Sequence, residues 1–110
     1  MLKPQIDVFM GCDAPFEEAH TVLFGAPFDS TTSNRPGTRF GPAALRRESY
    51  GLELYSPYQD RDLSDTAVLD SGDLELPLGD SAQSLTLIQE RAEEILAAGK
   101  RPFLLGGEHL

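Results

Sequence analysis

Hydrophobic positions gather into three short unbroken runs along the chain: Thr21-Val22-Leu23-Phe24-Gly25, Ala67-Val68-Leu69-Asp70 and Pro102-Phe103-Leu104-Leu105-Gly106. Each run is continuous instead of alternating and ends in glycine or an acidic turn. Strands buried on both faces read this way, as in a parallel sheet. Between the second and third runs, Leu85, Ile88, Ala92, Ile95 and Leu96 recur at helical spacing. Asp80 with Gln83 supplies a capping box at the start of that helix, and Gly99 suits the position just past its end. Lys100 and Arg101 follow where the helix dipole favours cations, and Glu90, Glu93 and Glu94 fall on the outward face. Between the first and second runs, Pro42 fits a first helical turn, Ala43 to Tyr50 the body and Gly51 the end. Leu52 to Tyr58 reads as extended, because a residue before proline avoids the helical region, and Asp60 to Asp65 reads as a polar turn. The predicted order is β-α-β-α-β, half of a doubly wound α/β layer.

Composition narrows the function classes without naming one. The chain has 110 residues, the length of one small domain, with 40% hydrophobic and 25% charged positions, ordinary for a globular protein. Nine Lys+Arg against 18 Asp+Glu give a net charge of −9. That balance speaks against nucleic acid or an anionic membrane as partner, since both require a basic surface. A cationic small molecule is compatible with it, although solubility alone accounts for an acidic surface. The start of the chain lacks the charged-then-apolar layout of a signal peptide, and no apolar run approaches the ~20 residues of a membrane span. Cys12 is the one cysteine and reads as a small filler without a basic or histidine neighbour to activate it. The expected compartment is the cytoplasm.

Candidate chemistry lies in the segments that follow the strands. Gly25 to Pro42 is a long stretch of Gly, Pro, Ser and Thr between a strand and its helix, beyond the usual two to six residues. Its prolines and glycines fix a backbone path, and loops at the carboxyl ends of strands line ligand sites in α/β folds. The third strand runs directly into Gly106-Gly107-Glu108-His109. A neutral imidazole at such a strand end is a candidate ligand for a divalent metal, although a single histidine is by default a hydrogen-bonded core residue. His20 precedes the first strand, at the opposite end from these loops.

Taken together, Phe24-Gly25-Ala26-Pro27-Phe28-Asp29 with Arg35-Pro36-Gly37-Thr38-Arg39-Phe40-Gly41-Pro42, then Asp70-Ser71-Gly72-Asp73, then Leu105-Gly106-Gly107-Glu108-His109, resemble the arginase/agmatinase (ureohydrolase) family. The segment Gly51 to Tyr58 is similar to that of bacterial agmatinases. The resemblance covers essentially all 110 residues and implies the N-terminal part of a single three-layer α/β/α domain. It implies a site with two Mn2+ ions sharing a hydroxide that attacks a guanidinium carbon, as metals must generate hydroxide at neutral pH for so poor an electrophile. With agmatine as the guanidino substrate the products are putrescine and urea, and the parent enzyme is expected to be a homo-oligomer. His109 matches the family's first metal-ligand histidine. Asp29, Asn34 and Arg35 fall on the loop that flanks the site, where loop-internal hydrogen bonds and a surface ion pair are an equal alternative. Asp73 matches a position read as structural.

The resemblance also implies a strand order with the first strand between the other two, which places His109 beside the loop from Asp29 to Gly41. The family's later Asp-Ala-His-x-Asp and Asp-x-Asp segments, its remaining metal ligands, are absent here. The expectation is therefore a chain truncated after the first metal-ligand motif, inactive alone and binding no stoichiometric Mn2+. Other amidinohydrolases (arginase, guanidinobutyrase), a non-catalytic interaction module and an unrelated α/β binding domain are the alternatives.

Overall fold

In the computed structural model, which describes residues 7–30 and 36–108, the first apolar run forms β1, Thr21–Ala26, buried from Val22 to Ala26. The chain returns through a 3-10 turn, Thr38–Phe40, into α1, Gly41–Ser49. Pro42 sits in the first turn of α1, where a missing N–H costs no helical bond. A short antiparallel hairpin follows, β2 (Tyr55–Ser56) with β3 (Arg61–Asp62), then a 3-10 turn, Leu63–Asp65. The remaining elements are β4 (Val68–Asp73), α2 (Ser81–Ala97) and β5 (Arg101–Gly106).

The β-α-β-α-β reading holds, with three local corrections. The stretch expected to be extended and then turning is instead the β2–β3 hairpin. The Asp62 carboxylate accepts from Ser64 N–H, Asp65 accepts from Asp62 N–H, and this reciprocal cap fixes the turn after β3. β4 runs on through Ser71-Gly72-Asp73 beyond the apolar run, with an irregularity in its pairing to β1 between Leu23 and Gly25. Gly72 takes a φ of +85° there, a conformation open to glycine. In α2 the inward positions are Ile88, Ala92 and Ile95, whereas Leu85 and Leu96 are 43% and 59% exposed. Both fall on one flank of the helix, turned away from the Ile88, Ala92 and Ile95 stripe that packs on the sheet. Of the expected capping box one half forms, Asp80 accepting from Gln83 N–H, and Gly99 follows the helix with a φ of +76°.

All three long strands are parallel, in the order β4-β1-β5. The first strand in sequence is therefore central, and the chain reverses its winding direction at β1. Alternation divides the sheet faces. Val22 and Phe24 point toward Ile88, Ala92 and Ile95 of α2. Leu23 packs on the other face with Cys12 and Leu105. Burial, followed by the nearby Asp70 and Asp13 charges, pushes the Cys12 thiol up to about 11, so it stays protonated and unreactive at neutral pH.

The outer edge of β4 is covered by residues 12–14, which bond it through Asp70 N–H to Cys12 O and Ala14 N–H to Val68 O. β5 pairs with β1 on one side. Its apolar run, expected to be buried on both faces, keeps Phe103 54% and Leu104 46% exposed. Among the described residues no strand pairs with its other edge.

Candidate active site at the carboxyl ends of β1 and β5

A buried ion-pair cluster anchors α1 to the sheet. Arg46 is 4% exposed and donates from Nε and Nη2 to the two oxygens of Asp70, at 2.8 and 3.0 Å. Its Nη1 donates to Asp73 at 2.5 Å. Asp70 also accepts from Phe9 N–H and Gly72 N–H. Burial alone raises the Asp70 pKa, but the Arg46 guanidinium and the two backbone donors outweigh it and hold the carboxyl below its usual range. Asp73 has the structural place expected of it, beside β1. Gly25 has no room for a side chain there, because a Cβ would run into the Asp73 carboxylate.

Beyond β1 the chain turns over the end of β5, and the contact is backbone against backbone. A Cβ on Gly107 would lie 2.6–2.7 Å from Ala26 O, Phe28 N and Phe28 O, so only glycine fits. Glu108 N–H donates to Phe28 O at 2.8 Å, and Ser30 N–H donates to Glu108 Oε1 at 2.8 Å. The loop after β1 and the turn after β5 are thus joined at the point where the winding reverses. Beside them Phe28, Leu85, Leu104 and Glu108 line a cleft of about 260 Å3.

Asp29 is turned into its own loop. Its side chain is fully enclosed, and Oδ2 accepts from Gly37 N–H at 2.8 Å and from the Arg39 guanidinium at 2.9 Å. The Gly37 N–H bond above all, against the cost of burial and with Thr38 and Arg39 assisting, holds its carboxyl below the usual range. Among the described residues Oδ1 is buried without a donor, an acceptor of the kind that a water, a ligand N–H or a neighbouring loop residue satisfies. Arg39 also stacks over Phe40, 4.7 Å from the ring centroid. Asn34, Arg35 and His109 lie outside the described residues. Their sequence neighbours, Ser30 and Pro36 on one side and Glu108 on the other, flank this junction. His20 is exposed just before β1, at the opposite end, with its Nδ1 2.9 Å from Thr21 Oγ1.

Among the described residues no three His, Cys, Asp or Glu side chains form a group able to hold a metal ion. The acidic groups nearest the junction are committed: Asp29 to Gly37 and Arg39, Asp70 and Asp73 to Arg46, Glu108 to Ser30. The described residues alone therefore do not fit a two-manganese site. No helix among them is long and apolar enough to cross a membrane.

Sequence reasoning singled out the loop and His109 but missed Arg46 and Glu108. The available signal for Arg46 was an arginine in a helix next to a strand carrying two carboxylates three residues apart. For Glu108 there was none, because its partner Ser30 is 78 residues away.

A parallel sheet that reverses at its central strand, with helices on both faces and the segments after β1 and β5 meeting at its carboxyl end, defines a doubly wound α/β protein with a cleft at the switch point, where ligands bind in such folds. The chain belongs to the arginase family, whose model matches residues 19–110. It is 50% identical over 103 residues to an agmatinase of Bacillus anthracis, covering 94% of this chain and 36% of that protein. Among solved structures it resembles the agmatine ureohydrolase of Thermoplasma volcanium, with a TM-score of 0.89 and 31% identity over 96% of this chain and 36% of that one. It also resembles a formiminoglutamase of Trypanosoma cruzi determined with Mn2+, with a TM-score of 0.67 and 27% identity over 84% of this chain and 33% of that one. The chain thus spans about a third of the length of the relatives it matches.

Proposed function

We propose that this chain contributes part of the active site of a manganese-dependent ureohydrolase that splits the guanidino group of agmatine into putrescine and urea. The observation that carries the reading is the junction itself, where Ser30 and Phe28 of the β1 loop bond Glu108, the residue before His109. Membership of the arginase family and the agmatinase name of the Bacillus anthracis relative support the reaction class and the substrate. Manganese is supported by the Trypanosoma cruzi relative.

In this reading His109 is a metal ligand, and the loop carrying Asp29, Asn34 and Arg35 flanks the substrate. A metal pair supplies hydroxide at neutral pH when bound. The chain's own contribution is positional. Arg46 fixes α1 on β4, Asp29 ties the loop start to Gly37 and Arg39, and Glu108 joins loop to turn. With the nearby carboxylates committed to these bonds, the described residues by themselves do not assemble a manganese pair, and the chain alone is expected to release no urea. One free cysteine whose thiol stays protonated is compatible with activity in the cytoplasm.

A graft tests substrate and reaction together: the 103 matched residues of the Bacillus anthracis agmatinase are replaced by the corresponding residues of this chain. Supplied with Mn2+, the folded graft is expected to release urea from agmatine in preference to arginine. A folded graft that prefers arginine, or that releases no urea, removes the proposal.

A further inference from the structure

Glu108 meets the β1 loop twice, once through its backbone N–H to Phe28 O and once through its carboxylate from Ser30 N–H, each at 2.8 Å. A backbone bond alone is a single point about which loop and turn can rotate. The second bond, made by the Glu108 side chain to a residue two positions further along the loop, removes that freedom and fixes both spacing and orientation. An ionised acceptor makes it stronger than a neutral pair. The next residue after Ser30 opens the segment that carries Asn34 and Arg35, and the next residue after Glu108 is His109. The two residues joined are thus the last before each candidate functional segment.

We propose that Glu108 is a positioning residue whose carboxylate sets the spacing between the β1 loop and the turn leading into His109. The clamp stands on the two hydrogen bonds. Only its consequence for substrate rests on the ureohydrolase reading. The bond requires an acceptor oxygen at the right reach, which a glutamine supplies and an alanine does not.

Amide hydrogen exchange, read residue by residue by NMR on the chain, tests the clamp directly. In Glu108→Ala the Ser30 amide is expected to exchange about tenfold faster or more, while Val22 and Phe24 in β1 serve as references and keep their rates. In Glu108→Gln, Ser30 keeps its protection within about threefold. Unchanged Ser30 exchange in Glu108→Ala overturns the proposal, as does a Gln variant that loses Ser30 protection as fully as Ala. Should Glu108→Ala also release the reference amides, the Gln variant alone decides between these outcomes. In the grafted enzyme, Glu108→Ala is expected to raise KM for agmatine more than it lowers kcat, and Glu108→Gln to restore it. A Ser30 amide that responds while KM does not leaves the clamp standing and removes the substrate role of the loop.

Discussion

Replacing Arg46 by alanine is expected to lower the stability of the fold by about 3–5 kcal/mol, the loss that follows when one partner of a buried ion pair is removed. Arg46 and Asp70 are 4% and 5% exposed, so removing the guanidinium leaves a carboxylate without its counter-charge inside the protein. The backbone bonds from Phe9 and Gly72 then meet an acceptor whose charge is no longer balanced. Domains of this size have a total stability of about 5–15 kcal/mol, so the variant approaches unfolding at room temperature. Arg46→Lys is not a rescue: a single ammonium cannot span both oxygens of Asp70 and also reach Asp73, as the planar guanidinium does.

The same cluster sets an acid limit. Asp70 has its pKa lowered in the folded state, so its stabilisation is present above the unfolded value of about 3.9 and is lost as pH falls through the lower folded value. Denaturant midpoints of the parent should therefore fall steeply below about pH 4, and those of the Arg46 variant, already low, should fall less. Equal midpoints for parent and Arg46→Ala at pH 7 would contradict the buried-pair account.

Gly107→Val is expected to cost on the order of 3 kcal/mol and to separate the β1 loop from the β5 turn. Three backbone atoms of Ala26 and Phe28 stand within 2.7 Å of the position a Cβ would take. None of them is the far end of a flexible side chain, so relief requires moving the loop itself. That movement breaks both Glu108 bonds to Phe28 and Ser30. A misplacement of about 1 Å between catalytic segments costs about 100-fold in rate, and this is the loss expected for the Gly107 variant of the grafted enzyme. Thermal unfolding and urea release measured on the same preparation check both parts. A Gly107→Val graft with normal melting and normal rate would show that the close approach of these segments is unimportant.

Much of the fold was readable because its signals are local. Val22 to Phe24, Val68 to Leu69 and Phe103 to Leu105 belong to short apolar runs bounded by glycine or acidic turns, which suit buried strands. Asp80 and Gly99 flank α2 as its N-cap and the residue after its C-cap. The β2–β3 hairpin was not readable. Its strands are two residues each, and Pro57 and Asp60 hide the pairing inside what looks like one extended stretch and one turn. The end of β4 was hidden for a different reason. Ser71, Gly72 and Asp73 are turn-forming residues by local preference, and β1 pairing overrides that preference.

In the candidate site, glycine pattern and loop composition pointed to the β1 loop and the β5 turn, and strand order brings them together. The bonds that do so, Ser30 to Glu108 and Arg46 to Asp70 and Asp73, join residues 24 to 78 positions apart and exist only once the sheet has formed. Asp29 was legible as a loop residue. Its enclosure, with Oδ2 bonded to Gly37 and Arg39, is a property of the folded loop.

As proposed above, the chain supplies the β1 loop and the turn leading into His109 as part of a ureohydrolase site and does not form the whole of it. The most direct test is the purified chain itself, titrated with Mn2+ by calorimetry and then assayed for urea with agmatine. The account predicts no stoichiometric manganese binding and no urea above a protein-free control. Saturable binding of manganese together with measurable urea release would contradict it.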